Sequence, residues 1–200
     1  MSSEGARGEV IDRASSLSPQ PKDQYNFLQE SSPMFTISDS IFINAPIERC
    51  FLLSTNIELV GRTLGMKPIE GKLSGLVVAD DRLVWAGWKF GFPQMHESYV
   101  TGYEPPSFFQ DTMGRGRFKR YQHDHYFYEM NERTVLNDKI RFTMPLGFVG
   151  RLVAQFVLVP YLSKRLRRRL NLLKRVAESN KEWPKYLPVE HHIDKAPQQE

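Results

Sequence analysis

A single cysteine, Cys50, stands among 200 residues, so no internal disulfide can form and the chain reads as a protein of a reducing compartment, the cytoplasm. No run of about 18 apolar residues occurs, which excludes a membrane-spanning helix. The first residues lack an apolar signal-peptide core, and Glu4, Glu9 and Asp12 are unlike an acid-poor organellar transit peptide. No segment repeats. A cysteine cluster, a glycine-rich phosphate loop and an aromatic RNA-binding motif are all absent, and Gly114-Arg115-Gly116 is too short to cradle a nucleotide. Apolar residues make up 40% of the chain and the mean hydropathy is −0.45, which fits a folded core diluted by polar ends.

Charge is unevenly placed. The stretch from Lys164 to Arg175 holds seven basic residues and no acid, while the whole chain has a net charge of +4. Removing that stretch leaves −3. The basic character therefore belongs to one segment, and nucleic acid is not expected as a partner.

Residues 1–33 and 181–200 are rich in polar, charged and Pro residues, and read as a disordered N-terminal tail and a flexible C-terminal tail. The folded domain is expected over 34–180. It opens with Phe35, Ile37, Ile41 and Ile43, apolar at period two, the mark of a strand with one buried face. Asn44-Ala45-Pro46 then stops the strand and starts a short helix, followed by a second around Ile57 to Arg62. Six further strands are expected at about 72–79, 82–90, 94–103, 107–113, 118–130 and 133–144, separated by Gly, Pro, Asp and Asn turns. The connections are too short for parallel crossovers, so the sheet is antiparallel. From about 148 to 180, Leu152, Phe156, Val159, Leu162, Leu166, Leu170, Leu173 and Ala177 recur at helical spacing, with Pro160 predicted to kink or restart the helix. The expected fold is α+β: a seven-stranded curved antiparallel sheet wrapped around a long C-terminal helix, with two short helices after strand 1.

A two-residue turn at Asn131-Glu132 assigns faces to the last hairpin. It pairs Phe127 with Leu136, His125 with Asp138, His123 with Ile140 and Tyr121 with Phe142 on an inner face. The opposite face holds Asp124/Lys139 and Gln122/Arg141, as a solvent face should. By the same parity Trp88 shares a face with Val84, Ala86 and Phe90, with Glu97 and Tyr99 across from it.

These residues resemble the ligand-binding, cyclase/dehydrase-like branch of the START-like (SRPBCC) superfamily, over roughly 34–175. The resemblance rests on Ile43-Asn44-Ala45-Pro46-Ile47-Glu48-Arg49-Cys50-Phe51, on Trp88-Lys89-Phe90-Gly91-Phe92-Pro93, and on Pro105-Pro106-Ser107-Phe108-Phe109-Gln110-Asp111. Its most specific part is His123-Asp124-His125-Tyr126-Phe127 with the later Asp138 and Pro145-Leu146-Gly147. The chain departs from similar proteins at Arg117, where they often have Pro, and at Tyr121, where they often have Trp. The resemblance implies a helix-grip fold and an internal cavity for lipid, isoprenoid or polyketide-like molecules; it implies no single reaction.

The main functional expectation is a carrier or sensor of such a hydrophobic ligand. Expected contacts are Trp88, Tyr99, Phe109, Tyr121, Phe127 and Ile140, together with Phe142 on the sheet and Leu152 and Phe156 on the helix. His123, His125 and Asp138 would orient a ligand oxygen. The alternative is a cyclase or dehydratase in which His125 and Asp138, with His123 beside them, form an acid–base pair. His123 and His125, two apart on a strand, could also share an ion with Asp138 or His96; Asp138 already faces His125, so neither metal nor cofactor is expected. Lys164, Arg165, Arg167, Arg168 and Arg169 are expected on a solvated outer face, with transient contact to an anionic membrane surface as a secondary role. His191 and His192 fall in the tail.

Overall fold

The computed structural model describes residues 33–89 and 91–187. Strand β1 (Phe35–Ile43) leads into α1 (Ile47–Thr55) and α2 (Ile57–Leu64), then β2 (Lys67–Gly71), β3 (Arg82–Lys89), β4 (Phe92–Glu104), β5 (Phe108–Met113), β6 (Arg120–Met130) and β7 (Arg133–Thr143). The helical C-terminal region follows as α3 (Gly147–Val153), a π-helical segment (Ala154–Leu158) and α4 (Val159–Glu178). The strands form one antiparallel sheet in the order β1-β7-β6-β5-β4-β3-β2. Only β1 is displaced from sequence order: it closes against the last strand, pairing Ile37 with Ile140 and Ile41 with Leu136. This is the expected α+β helix-grip architecture.

Local chemistry explains most element ends. Asn56 accepts a hydrogen bond from the Leu59 amide at 2.9 Å and caps α2, and Gly65 ends it in the left-handed region. Asn131 and Glu132 take φ of 50° and 59°, the two positive values that a tight hairpin turn requires, and this fixes the β6–β7 register predicted above. Pro160 lacks the N–H that would bond to the Phe156 carbonyl one turn earlier, and the helix widens to π geometry immediately before it.

Two expectations need correction. The second strand lies at Lys67–Gly71, not at 72–79. Residues after Gly71 instead tuck inward: the Val77 amide donates to the Thr55 carbonyl at 2.9 Å, and the Asp81 carboxylate accepts from Lys72 and from the Val78 amide, both at 2.8 Å. The Val77 bond, with the Ile57 amide donating to the Gly75 carbonyl at 2.9 Å, holds the segment against the α1–α2 junction, and the Asp81 contacts brace it internally. Gly71 is required where β2 turns away, because a Cβ there would lie 2.0 Å from the Arg82 carbonyl oxygen. At the other end, the segment 181–187 is part of the domain. Trp183 and Leu187 are buried in the core, Arg49 lies over the Trp183 ring at 4.5 Å, and Asn56 donates to the Tyr186 carbonyl at 2.8 Å. The expected N-terminal tail, apart from Pro33, and the C-terminal tail from 188 onward lie outside the described residues, as does Phe90.

The core has three parts. One gathers Phe51, Phe127, Leu136, Leu170, Leu173 and Val176 between α1, α4 and the sheet. A second packs Ile37, Ile140, Phe142, Leu162 and Leu166 where α4 crosses β1 and β7. A third joins Ile57 of α2 to Val77, Leu83, Trp85 and Val100. The α4 stripe is the element that the sheet grips, so truncating it should be costly. Leu170→Ala, at a position with no exposure, is expected to lower stability by about 2–5 kcal/mol in urea unfolding. Phe42→Ala, on an exposed β1 position, should change it by only a few tenths to about 0.5 kcal/mol.

Candidate functional site

The second and third core clusters do not meet. Between them lies a chamber of about 440 Å³, within the usual size of small-molecule sites. Leu83, Trp85 and Val100 form one wall, and Ile140, Leu162 and Leu166 the other. Phe92, Met95, Val153 and Val157 line its mouth and are exposed. Phe148, Val149 and Phe156 continue this apolar rim along α3 and the π segment.

The polar part of the chamber is built by cross-strand pairing. Asp111 of β5 lies opposite His123 of β6, and His125 of β6 lies opposite Asp138 of β7, so the four side chains share the concave face. His125 Nδ1 sits 2.7 Å from Asp138 Oδ1, and its Nε2 sits 3.2 Å from Asp111 Oδ1. His123 stands beside it, with Nδ1 3.8 Å from Asp111 Oδ1 and Nε2 3.5 Å from Asp138 Oδ2. The Phe109 ring stacks on His125 with centroids 4.0 Å apart, which fixes the imidazole plane. Arg169 of α4 donates to Asp138 Oδ2 in a buried charge-assisted hydrogen bond. One turn earlier Arg165 lines the chamber and donates to the carbonyls of Leu64 and Thr63 at 3.1 and 3.4 Å, tying α4 to the end of α2.

Burial and charge oppose each other here. Burial alone would raise the Asp138 pKa, but Arg169 and the two histidines outweigh it and hold the carboxyl well below its usual range. Asp111 follows the same pattern more weakly: burial raises it, and His125, His123 and His96 together bring it below the ordinary value. Burial lowers the pKa of His123, and the neighbouring His125 lowers it further. Burial likewise lowers His96 and raises the Tyr121 hydroxyl.

Of the residues expected at the site, Phe109, Tyr121, His123, His125 and Ile140 line the chamber. Asp138 lies behind the histidines, fully buried. Phe127 and Phe142 belong to the core beneath. Trp88 and Tyr99 are corrected to the convex face. Leu83, Trp85, His96 and Ser98 point inward, so the alternating residues Val84, Trp88, Glu97 and Tyr99 point outward, and Trp88 is 71% exposed. Leu152 and Phe156 are also exposed and do not line the chamber; this part of the helix presents Ala154 to the sheet and Val153, Val157 and Leu158 to the chamber instead. The basic stretch is corrected in part. Arg165 and Arg169 face inward, Arg167 pairs with Asp39 at 2.5 Å, and Lys164 and Arg168 stay exposed. The outer face of the hairpin also departs from expectation: Asp124 is buried there, covered by Gln110, Gln122 and Arg141 at 2.7–2.8 Å.

The sequence reading does not place Trp85, His96, Asp111, Arg165 and Arg169 in the chamber, although it allows His96 as an ion ligand. Three of them carry a readable signal. Asp111 is two residues from Phe109 on the same strand and therefore shares its face. Arg165 and Arg169 stand four apart, each one position before a leucine of the buried stripe.

No family model matches the sequence, and no curated protein matches it. Solved structures share the fold. A Thermus thermophilus protein, TTHA0849, superposes with a TM-score of 0.55 at 18% identity, covering 70% of this chain and 95% of that one. A truncated norcoclaurine synthase from Thalictrum flavum gives 0.58 at 10% identity, over 76% and 99%. The di-domain ARO/CYC BexL of the BE-7585A biosynthetic pathway gives 0.59 at 16% identity, over 74% of this chain and 51% of that one. At these identities the likeness shows the START-like fold.

Arg169 and Asp138 should be mutually dependent. Arg169→Met leaves a buried carboxylate without its guanidinium and is expected to cost about 3–5 kcal/mol in urea unfolding. The double variant Arg169→Met/Asp138→Asn, which removes both charges, should recover part of that loss in a double-mutant cycle.

Proposed function

We propose that the protein binds a small, largely apolar molecule bearing an oxygen function, as a carrier or sensor, in the chamber between α4 and the β3–β6 sheet. The observation that carries this reading is the division of the chamber itself. Its walls are predominantly aliphatic and aromatic, and His123, His125 and Asp111 form one compact group of polar side chains among them. A pocket with a large apolar surface and a few convergent polar groups selects a ligand by shape and orients it by one polar end. Lipid, isoprenoid and polyketide-like molecules have this profile. The names of two fold neighbours, an ARO/CYC protein and norcoclaurine synthase, are consistent with oxygenated aromatic or polycyclic occupants. The exposed apolar rim at Phe92, Met95, Val153 and Val157 supports entry at that mouth.

An acid–base enzyme acting through His125 and Asp138 is less well supported. Both ring nitrogens of His125 face carboxylates, so neither is free to exchange a proton with a ligand unless Asp111 moves. Cys50 is no nucleophile either: burial pushes its thiol up to about 11, and its sulfur faces the Ala45 carbonyl. The buried thiol also suits the cytoplasm as the compartment.

Trp85 provides an internal reporter, because it lines the chamber while Trp88 is exposed on the other face. Titration with 1-anilinonaphthalene-8-sulfonate should saturate at one molecule per chain and change tryptophan emission. The change should persist in Trp88→Phe and shrink in Trp85→Phe. Val157→Trp, at an exposed mouth position, should weaken the probe by roughly tenfold, about 1.4 kcal/mol. Absence of saturable binding, or binding indifferent to Val157→Trp, would count against the chamber as the site.

A further inference from the structure

We infer that Asp111, His123 and His125 form a binding site for one divalent first-row transition-metal ion, of the Zn²⁺ or Fe²⁺ kind, with Asp138 as its outer carboxylate. The three donor atoms are Asp111 Oδ1, His123 Nδ1 and His125 Nε2. They lie within 4.8 Å of one another, with His125 Nε2 at 3.2 Å and His123 Nδ1 at 3.8 Å from the carboxylate oxygen. Metal bonds of about 2.0–2.2 Å, at tetrahedral to octahedral angles, place ligand atoms about 2.9–3.5 Å apart. The His125–Asp111 edge already meets this; the His123–Asp111 edge, at 3.8 Å, must close by about 0.3 Å, and the His123–His125 edge, within 4.8 Å, by up to about 1.3 Å.

The arrangement behind the donors is the second observation. Each histidine turns its remote nitrogen toward Asp138, at 2.7 Å from His125 Nδ1 and 3.5 Å from His123 Nε2. A carboxylate that takes the remote N–H fixes the tautomer and the ring orientation so that the other nitrogen presents its lone pair, the usual support of a metal-bound histidine. Asp138 is fully buried and held by Arg169, and Phe109 stacks on the His125 ring, so His125 is set before any ion arrives. A set of two imidazoles and one carboxylate is chemically mixed, which suits zinc, iron, cobalt or manganese and disfavours calcium and magnesium. Three protein ligands leave at least one coordination position, and on this geometry it faces the apolar chamber. That position would receive the oxygen of the chamber's ligand. The ion site itself does not rest on the ligand reading, since it can be measured with the metal alone.

The test uses the full chain without an affinity tag, treated with a chelator and then titrated with Zn²⁺ and Co²⁺. Calorimetry and elemental analysis should give one ion per chain. Cobalt should produce visible d–d bands, and saturating metal should raise Tm by mass action. Asp111→Asn and His123→Gln should each abolish the site or weaken it at least 100-fold, with circular dichroism reporting that the variants are folded. Asp138→Asn should weaken it roughly 10–100-fold, as loss of an outer partner does. His191→Gln/His192→Gln should leave binding unchanged. The inference is overturned if the wild type takes up no ion, or if binding survives in folded Asp111→Asn and His123→Gln, or if it disappears with the tail histidines instead. Probe binding that remains in a chain that takes up no metal would overturn the ion site while leaving the hydrophobic-ligand reading in place.

Discussion

One buried carboxylate holds the sheet and the helix to each other. Asp138 sits in β7, hydrogen-bonds to His125 of β6 and receives Arg169 of α4. Stranded alone, it would cost several kcal/mol; paired on both sides, it is satisfied. The three partners come from three elements, so the pairing fixes more than stability. It sets the rotation of α4 about its own axis, because Arg169 must reach inward. A helix with that rotation buries Leu162, Leu166, Leu170 and Leu173 as well. The stripe and the arginine are thus two readings of one orientation.

The same orientation explains why a chamber exists. Arg165 and Arg169 occupy the α4 face that looks toward β3 and β4, and long cationic side chains cannot close-pack against Trp85 and Val100 as leucines would. Arg165 instead reaches the carbonyl ends of α2, and Arg169 reaches Asp138. The third core cluster then forms against α2 rather than against α4. The apolar walls are complete on each side, and the space between them is left for something else. The π segment before Pro160 adds the mouth: it breaks the register of the stripe, so the residues before it line the rim instead of filling the space.

Architecture was legible in the sequence because its signals are local. The period-two run in β1, the Asn131-Glu132 turn and the leucine spacing of α4 each specify one element and one face. The site was legible where a local signal happened to reach it: the hairpin turn fixed His125 opposite Asp138. It failed where alternation carried no information. Leu83-Val84-Trp85-Ala86-Gly87-Trp88 has no polar residue in six positions, so its parity is unreadable, and Trp88 took the place that belongs to Trp85. It fails again for the helix arginines, because charge by itself does not report burial. The partner that makes Arg169 buried lies 31 residues away on β7, and no periodicity reports it.

The placement of Asp111 separates the roles that the sequence had merged. While Asp138 was the only acid facing the histidines, it had to serve as orienting carboxylate, proton acceptor and metal ligand at once, and those roles compete. With Asp111 on the chamber side and Asp138 on the buried side, the competition disappears. His125 has Nδ1 hydrogen-bonded to Asp138 and Nε2 directed at Asp111, and His123 points Nε2 toward Asp138 at 3.5 Å and Nδ1 toward Asp111 at 3.8 Å. A merely structural network would need only the inner acid. Asp111 is half-buried at the edge of the solvent-connected space and adds nothing to the strand pairing that its backbone does not already supply. A carboxylate in that position places negative charge beside two imidazole nitrogens, where it is balanced by a proton on an imidazole or by a cation brought from outside.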